Sequence, residues 1–229
     1  MSLDFLTPAL GAGSPPARSP IAGTAARDGG RLEVRGDWEV PVSFGDQAAE
    51  RRATQESVGF ADASWLTKTQ LDGPAEALDG CVAGLSFGTA SLHRGAWWCR
   101  LTPTRALILG AAPAADSVSG AQLLDVTTQY CALRIAGPRC REVMARFCAL
   151  DLRPTVSPPT ALRPGSVART PGLVVVEEAE QLLVLVGSAL AEYFWTVVSD
   201  AATRLGGRPV GTEVLRGEAL DLQEASADA

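Results

Sequence analysis

The side chains that could carry out acid–base or nucleophilic chemistry are few in this sequence. It has one histidine, His93, in the polar segment SLHRG, and one lysine, Lys68, in a strand-like segment. His93 lies in a polar connection between predicted elements, so we interpret it as an exposed loop residue. A Schiff-base mechanism would have to use Lys68, and its neighbours in the sequence do not indicate a desolvated pocket. We therefore predict no catalytic residues in this chain.

Two pairs of adjacent residues are the remaining candidates for ligand contacts: Glu177 with Glu178, and Trp97 with Trp98. Neighbouring residues in a strand point to opposite faces of the sheet, so the two carboxylates cannot share one substrate. We interpret the glutamates as a solvated strand end. For the tryptophans, the same alternation predicts one ring in the core and one directed outward, where it could contact a ligand or partner. Trp98 and Glu177 are thus the candidate cofactor-binding residues.

The cysteines and the glycine-containing segments indicate neither a metal site nor a phosphate site. The five cysteines are odd in number and scattered, without a Cys-x-x-Cys pair or a metal-ligand spacing to His93. We predict no metal, and we interpret the cysteines as small buried side chains in a reducing compartment. The sequence also lacks the Gly-x-Gly-x-x-Gly and Gly-Lys-Ser/Thr loops that bind phosphate.

Composition and charge exclude several classes of partner. The 229 residues are 46% hydrophobic and 20% charged, which is typical of a globular chain, and the net charge is -6. A nucleic-acid-binding protein needs a concentrated basic surface, so we expect no nucleic-acid partner. The apolar runs are too short to span a bilayer, and the N-terminus lacks a secretory signal. We therefore expect a cytoplasmic protein with no membrane contact.

Two stretches of the sequence, FADASWLTKTQLDGP and LLDVTTQYCALRIAGP, follow one plan of strand, turn, strand, Gly-Pro and helix. Their matched positions, with one residue of slippage, are Asp62 and Asp125, then Gly73-Pro74 and Gly137-Pro138. At each aspartate a strand runs into a turn, where we expect the carboxylate to accept backbone N–H groups. A repeat of this length predicts two similar units.

The helices predicted between the strands are suited to covering a sheet. A surface helix is predicted over Asp46–Ser57, capped by Asp46, and the helix after Pro138 places Met144 and Phe147 on one apolar side. Such one-sided helices must pack their apolar face on another element. The sequence therefore predicts an α+β fold built from two related strand–helix–strand halves.

The domain organisation follows from the repeat and from the composition of the two ends. The start of the chain is rich in Pro, Gly, Ala and Ser without an apolar period, and the end is acidic and rich in Ala. Both ends are expected to be flexible. The predicted parts are an N-terminal arm (1–27), a first half (28–115), a second half (116–215) and an acidic tail (216–229).

Several stretches resemble the folate-binding aminomethyltransferases, the family of the glycine-cleavage T-protein. They are WEVPVSFGDQAAERRATQESVGFADAS, then DGP, then LLDVTTQYCALRIAGP and a helix that ends in CALDLRP. The stretch from Leu123 to Gly206, with ARTPG and LLVLVGSALAEYFWTVV, is most similar to the gamma subunit of heterotetrameric sarcosine oxidase. The resemblance covers residues 21–211 and implies the family's fold without the third, barrel-like domain of the full transferases.

The sequence departs from this family at the catalytic motifs. Catalytic members carry a Gly-Gly-x-x-Asp-Asp stretch, and the corresponding segment here, HRGAWWCRL, contains no aspartate. They also carry Gly-Tyr-Thr-Gly-Glu after an Arg-Thr pair, whereas Arg169-Thr170 is followed here by PGLVVV. The resemblance thus implies the fold and tetrahydrofolate as a cofactor, but not the transferase active site.

The resemblance leads to three alternative functions. The first is a non-catalytic subunit that docks on a flavoprotein oxidase subunit and supports flavin- and folate-linked oxidative demethylation. The missing acidic motif, the single histidine and an arm available for wrapping a partner favour it. The second is a stand-alone tetrahydrofolate-binding one-carbon transfer enzyme of the aminomethyltransferase family. The third is a regulatory folate-binding protein without turnover.

Overall fold

The computed structural model describes residues 15–81, 85–113, 118 and 120–215. Its strands are β1 (Ala17–Arg18), β2 (Arg31–Arg35), β3 (Trp38–Ser43), β4 (Gly59–Asp62), β5 (Lys68–Asp72), β6 (Ala90–His93), β7 (Ala96–Thr102), β8 (Arg105–Leu109), β9 (Gln122–Asp125), β10 (Tyr130–Ala136), β11 (Leu162–Val167), β12 (Thr170–Glu178), β13 (Gln181–Gly187) and β14 (Arg208–Pro209). Its α-helices are α1 (Ala22–Arg27), α2 (Gln47–Glu56), α3 (Ala75–Cys81), α4 (Cys140–Ala145) and α5 (Ala191–Thr203). Short 3-10 turns follow β9, β13 and β14, at Thr127–Gln129, Ser188–Leu190 and Thr212–Leu215.

Two large sheets contain most of the strands, and both sheets combine strands from the two predicted halves. The six-stranded sheet has the order β11-β12-β13-β10-β4-β14, and the five-stranded sheet has the order β6-β7-β8-β5-β9. Strand β4 pairs antiparallel with β10 in the first of these sheets, and β9 pairs antiparallel with β5 in the second. The predicted halves, residues 28–115 and 116–215, are therefore interleaved by an exchange of strands. A small third sheet, of order β1-β3-β2, lies at the N-terminus.

The two large sheets face each other across a buried apolar layer. Its principal side chains are Trp97, Leu107 and Leu109 from the five-stranded sheet, and Leu173, Val175, Leu183 and Leu185 from the six-stranded sheet. Helices α4 and α5 cover the outer face of the six-stranded sheet, and α3 covers the outer face of the five-stranded sheet. Because both faces are covered, the strands are continuous apolar runs such as ALIL and LLVLV. The predicted α+β class is confirmed.

The helices form where the local sequence favours them. Helix α2 begins after Asp46, whose carboxylate accepts the backbone N–H groups of Ala48 and Ala49, as the predicted cap requires. In α4, Met144 is fully buried and Phe147, just beyond the helix, is half-buried against the same core. No helix among the described residues is long and apolar enough to cross a bilayer.

The prediction of a flexible arm over residues 1–27 is wrong for residues 15–27. Strand β1 pairs in parallel with β3, and Ile21 is completely buried in the core under the six-stranded sheet. The indole N–H of Trp195 on α5 donates a hydrogen bond of 2.7 Å to the Asp28 carboxylate just after α1. Strand pairing and burial therefore hold this segment in place. Residues 1–14 and the predicted tail, 216–229, lie outside the described residues.

The two repeated turns have the structure that the sequence predicts. The Asp62 carboxylate accepts the Ser64 N–H and the Asp125 carboxylate accepts the Thr127 N–H, each at 2.8 Å. These local hydrogen bonds fix the turns at the ends of β4 and β9.

Each of the two turns also donates a backbone hydrogen bond to the strand that follows the other turn. Ala63 donates its N–H to the carbonyl of Ala132 at 2.9 Å, and Val126 donates its N–H to the carbonyl of Lys68 at 2.8 Å. With the one-residue slippage, Ala63 matches Val126 and Lys68 matches Ala132 in the repeat. Equivalent backbone hydrogen bonds of the two repeats therefore extend the β4–β10 pairing in one sheet and the β5–β9 pairing in the other.

Candidate functional site

The two adjacent tryptophans lie on opposite faces of β7, and both are buried. Trp97 belongs to the layer between the sheets, whereas Trp98 packs with Ile108 and Leu78 beneath α3. The prediction of one outward ring is therefore wrong, because α3 covers the face that the alternation would expose. Only 6% of Trp98 remains accessible, at the edge of a surface cavity.

Glu177, the second predicted cofactor contact, lies in a buried ion pair. Its carboxylate accepts two hydrogen bonds from the Arg134 guanidinium, at 2.7 and 2.8 Å. It also accepts the Trp97 indole N–H and the Gln181 amide N–H, each at 3.1 Å. The interpretation of a solvated strand end is wrong for Glu177 and holds for Glu178, which is exposed. Since the β12–β13 ladder shifts register between Val176 and Glu178, Glu177 lies at an irregularity of the strand.

The four hydrogen bonds saturate the acceptor positions of the Glu177 carboxylate. Arg134 in turn donates to the Leu215 carbonyl at 3.1 Å, so the pair connects β10, β12 and the C-terminal turn. A buried pair of this kind is costly to break, because the remaining charge is left without a counter-ion. This geometry favours a structural role for Glu177 over a cofactor contact.

The only lysine is buried, contrary to the sequence prediction. Lys68 is 1% exposed, and its ammonium group donates hydrogen bonds to the carbonyls of Ser64 at 2.8 Å and Leu66 at 2.7 Å. Burial lowers the pKa of Lys68 to about 8, although the neighbouring Asp62 opposes this change. The flanking Thr67 and Thr69 are polar, so the sequence gives no signal of this desolvation.

Asp62 is the acidic neighbour of this lysine. Burial raises the pKa of the Asp62 carboxyl, while the nearby Ser19 and the hydrogen bond from Ser64 act in the opposite direction. One of its oxygens, Oδ2, has no hydrogen-bond partner among the described residues. Asp62 and Lys68 are thus two buried ionisable groups beside the repeated turn, each hydrogen-bonded to backbone groups of that turn.

The five cysteines are unpaired thiols at separate places in the fold. Burial raises the pKa of the Cys131 thiol to about 12 and that of Cys140 to about 11, so both stay protonated at neutral pH. Four of the five are buried, and Cys81, at the end of α3, is half-exposed. Their burial agrees with the interpretation of small core side chains.

A surface cavity brings Trp98 and His93 together. It has a volume of about 200 Å³ and is lined by Cys81, His93, Arg94, Ala96, Trp98, Ala111, Ala112 and Pro113. The His93 and Trp98 rings meet edge to face, with centroids 6.3 Å apart. His93 is exposed, as predicted, but it ends β6 rather than lying in a free loop. Ligand pockets for drug-sized molecules occupy roughly 300–1,000 Å³, so this cavity does not fit a whole tetrahydrofolate.

A curated aminomethyltransferase and two solved structures are similar to this chain. No protein-family model matches it. An aminomethyltransferase of Bordetella avium (strain 197N) is 32% identical over 56 residues, which are 24% of this chain and 15% of that protein. The chain therefore matches less than a sixth of the length of this curated relative.

Two solved structures share the fold over most of the chain. The glycine cleavage system aminomethyltransferase T from Bartonella henselae superposes with a TM-score of 0.70 at 15% identity, over 86% of this chain and 60% of that one. A chain of heterotetrameric sarcosine oxidase from Corynebacterium sp. U-96, in complex with pyrrole 2-carboxylate, superposes with a TM-score of 0.60 at 19% identity. That match covers 72% of this chain and 95% of the oxidase chain. The protein thus has the fold of the glycine-cleavage aminomethyltransferase T-protein, which a chain of heterotetrameric sarcosine oxidase shares.

Proposed function

We propose that the protein is a non-catalytic subunit of a multi-chain amine oxidase, in which it supports flavin- and folate-linked oxidative demethylation. The observation that carries this proposal is the coverage of the oxidase match. The chain matches 95% of a heterotetrameric sarcosine oxidase chain, compared with 60% of the aminomethyltransferase T chain. A flavoprotein oxidase subunit is the partner that this match favours.

The side chains of the protein also favour a role without turnover. The segment that corresponds to the family's acidic motif forms the β6–β7 hairpin, and its two tryptophans are buried. The Glu177 carboxylate is saturated by internal hydrogen bonds. Lys68 is buried, and its ammonium group donates hydrogen bonds to two backbone carbonyls. A general acid or base must reach the substrate directly or through one water. Neither residue is placed for such a contact.

The alternative is a stand-alone tetrahydrofolate-binding one-carbon transfer enzyme. The 32% identity to an aminomethyltransferase over 56 residues favours it. Under either function, we propose that the fold consists of two related halves, because the repeated turns exchange equivalent hydrogen bonds between Ala63 and Ala132 and between Val126 and Lys68. The cytoplasmic location stays a prediction under both functions.

Affinity purification from the native host tests the proposed function. We expect a tagged chain to co-purify with a polypeptide that shows flavin absorbance, and the assembly to consume oxygen when sarcosine is added. The isolated chain, incubated with an aminomethyl donor and tetrahydrofolate, should release no ammonia and form no methylenetetrahydrofolate. Transfer by the isolated chain would replace our proposal by the stand-alone enzyme. A monomer that carries no flavoprotein and catalyses no transfer would contradict both functions.

A further inference from the structure

The surface cavity beside Trp98 has no part in the proposed function. It opens on the outer side of the five-stranded sheet, at the end of α3, where Trp98 points. The saturated Glu177 carboxylate contacts Trp97, whose side chain lies on the opposite face of the same strand. The cavity is therefore separated from the space between the sheets by β7 itself.

The walls of this cavity combine an aromatic ring, apolar groups and a cation. Trp98 and His93 both line the cavity, and their rings meet nearly perpendicularly, at 77°. Ala111, Ala112 and Pro113 also line the cavity and are apolar residue types. Small-molecule sites are typically concave and mostly apolar, with a few polar groups that fix the ligand's orientation. Arg94 is the charged group at this cavity.

Arg94 is held at the rim by an unusual backbone conformation. With Gly95 it forms the two-residue turn between β6 and β7, and both residues have positive φ, 48° for Arg94 and 74° for Gly95. Asn and Gly favour such turns, whereas a long side chain at the first position adopts them at a free-energy cost. No salt bridge joins the Arg94 guanidinium to another residue of the described part of the chain. A strained, uncompensated cation thus borders a cavity with an aromatic wall.

We propose that this cavity binds a small planar carboxylate, about the size of benzoate, with its ring against Trp98 and its carboxylate on Arg94. A guanidinium matches a carboxylate with two parallel N–H···O bonds, and aromatic rings prefer offset or edge-to-face contacts. The cavity volume of about 200 Å³ accommodates a single ring with a carboxylate. His93 is exposed at the rim and lies close enough to Trp98 to contact the ring of the bound carboxylate. This proposal holds whether or not the chain is an oxidase subunit.

Titration of the full-length protein with benzoate, followed by NMR of the tryptophan indole N–H and arginine side-chain signals, tests the proposal. We expect saturable shifts of the Trp98 and Arg94 signals. Arg94→Gln should weaken benzoate binding about tenfold or more, because it removes a charge-assisted pair. Benzyl alcohol, which lacks the charge, should bind more weakly than benzoate and be insensitive to Arg94→Gln. Arg51→Gln, at an exposed position of α2, is the matched control and should leave benzoate binding unchanged.

Two further measurements separate binding in the cavity from binding elsewhere. Ala112 is exposed at the cavity mouth, so Ala112→Leu should preserve folding, fill the space and abolish the benzoate shifts. Cys81 is the half-exposed cysteine and lines the cavity, so benzoate should slow its alkylation in the wild type but not in Arg94→Gln. The proposal is overturned by shifts that do not saturate. Equal affinity of the wild type and Arg94→Gln, with both folded by circular dichroism, would overturn it as well.

Discussion

Replacing Lys68 by methionine tests the conclusion that the only lysine is desolvated inside the fold. Methionine has a similar length without a titratable group. The pKa of Lys68 falls from an ordinary 10.5 to about 8 in the folded protein. This difference corresponds to about 3 kcal/mol between the two protonation states, at about 1.4 kcal/mol for each pH unit.

The direction of the pH dependence follows from the number of protons that the folded and unfolded states bind. Between pH 8 and pH 10.5 the unfolded chain keeps the lysine proton that the folded protein has lost, so the free energy of unfolding rises with pH over this window. The buried cysteines act oppositely, since their thiols ionise near pH 9 only after unfolding. Subtracting the unfolding free energy of Lys68→Met from that of the wild type at each pH cancels the cysteine contribution.

Urea unfolding between pH 7 and pH 10.5 measures the effect. We expect the difference in unfolding free energy, wild type minus Lys68→Met, to grow by up to about 3 kcal/mol across this range. The same comparison in an Asp62→Asn background should give a larger difference, because the Asp62 carboxylate opposes the lowering of the Lys68 pKa. Arg51→Met, on the exposed side of α2, should give a difference that does not change with pH. A flat difference for Lys68→Met would refute the desolvation argument.

Three further predictions concern stability and are measured by thermal or urea unfolding. Glu177→Gln should cost about 3–5 kcal/mol because it leaves a buried guanidinium without its counter-ion, whereas Glu178→Gln should cost under about 0.5 kcal/mol; equal effects would show that the ion pair is not buried. Ile21→Ala should cost about 2–5 kcal/mol, since the side chain is completely buried, and a silent change would restore the flexible-arm prediction. Phe147→Ala, in a half-buried position, should cost about 2 kcal/mol, and the exposed His93→Ala should be nearly neutral; the reverse order would contradict our account of the α4 core.

The features that the sequence determined by itself are local. Asp46 caps α2 through N–H groups two and three residues away, and Asp62 and Asp125 fix their turns through N–H groups two residues away. These hydrogen bonds depend only on a side chain and the backbone next to it, so residue type and spacing suffice to predict them. The α+β class followed in the same way from strand-like runs and one-sided helices.

The burial of individual side chains was decided by the tertiary structure. Trp98 is covered because α3 packs on its face of β7, and Glu177 is tolerated as a buried charge because Arg134, 43 residues away, provides its counter-ion. Asp28 and Trp195, 167 residues apart, help to hold the N-terminal segment that composition alone presents as flexible. Lys68 is buried between polar neighbours that give no sign of it. Desolvation depends on which distant segments cover a residue, and the types of its neighbours in the sequence do not predict those segments.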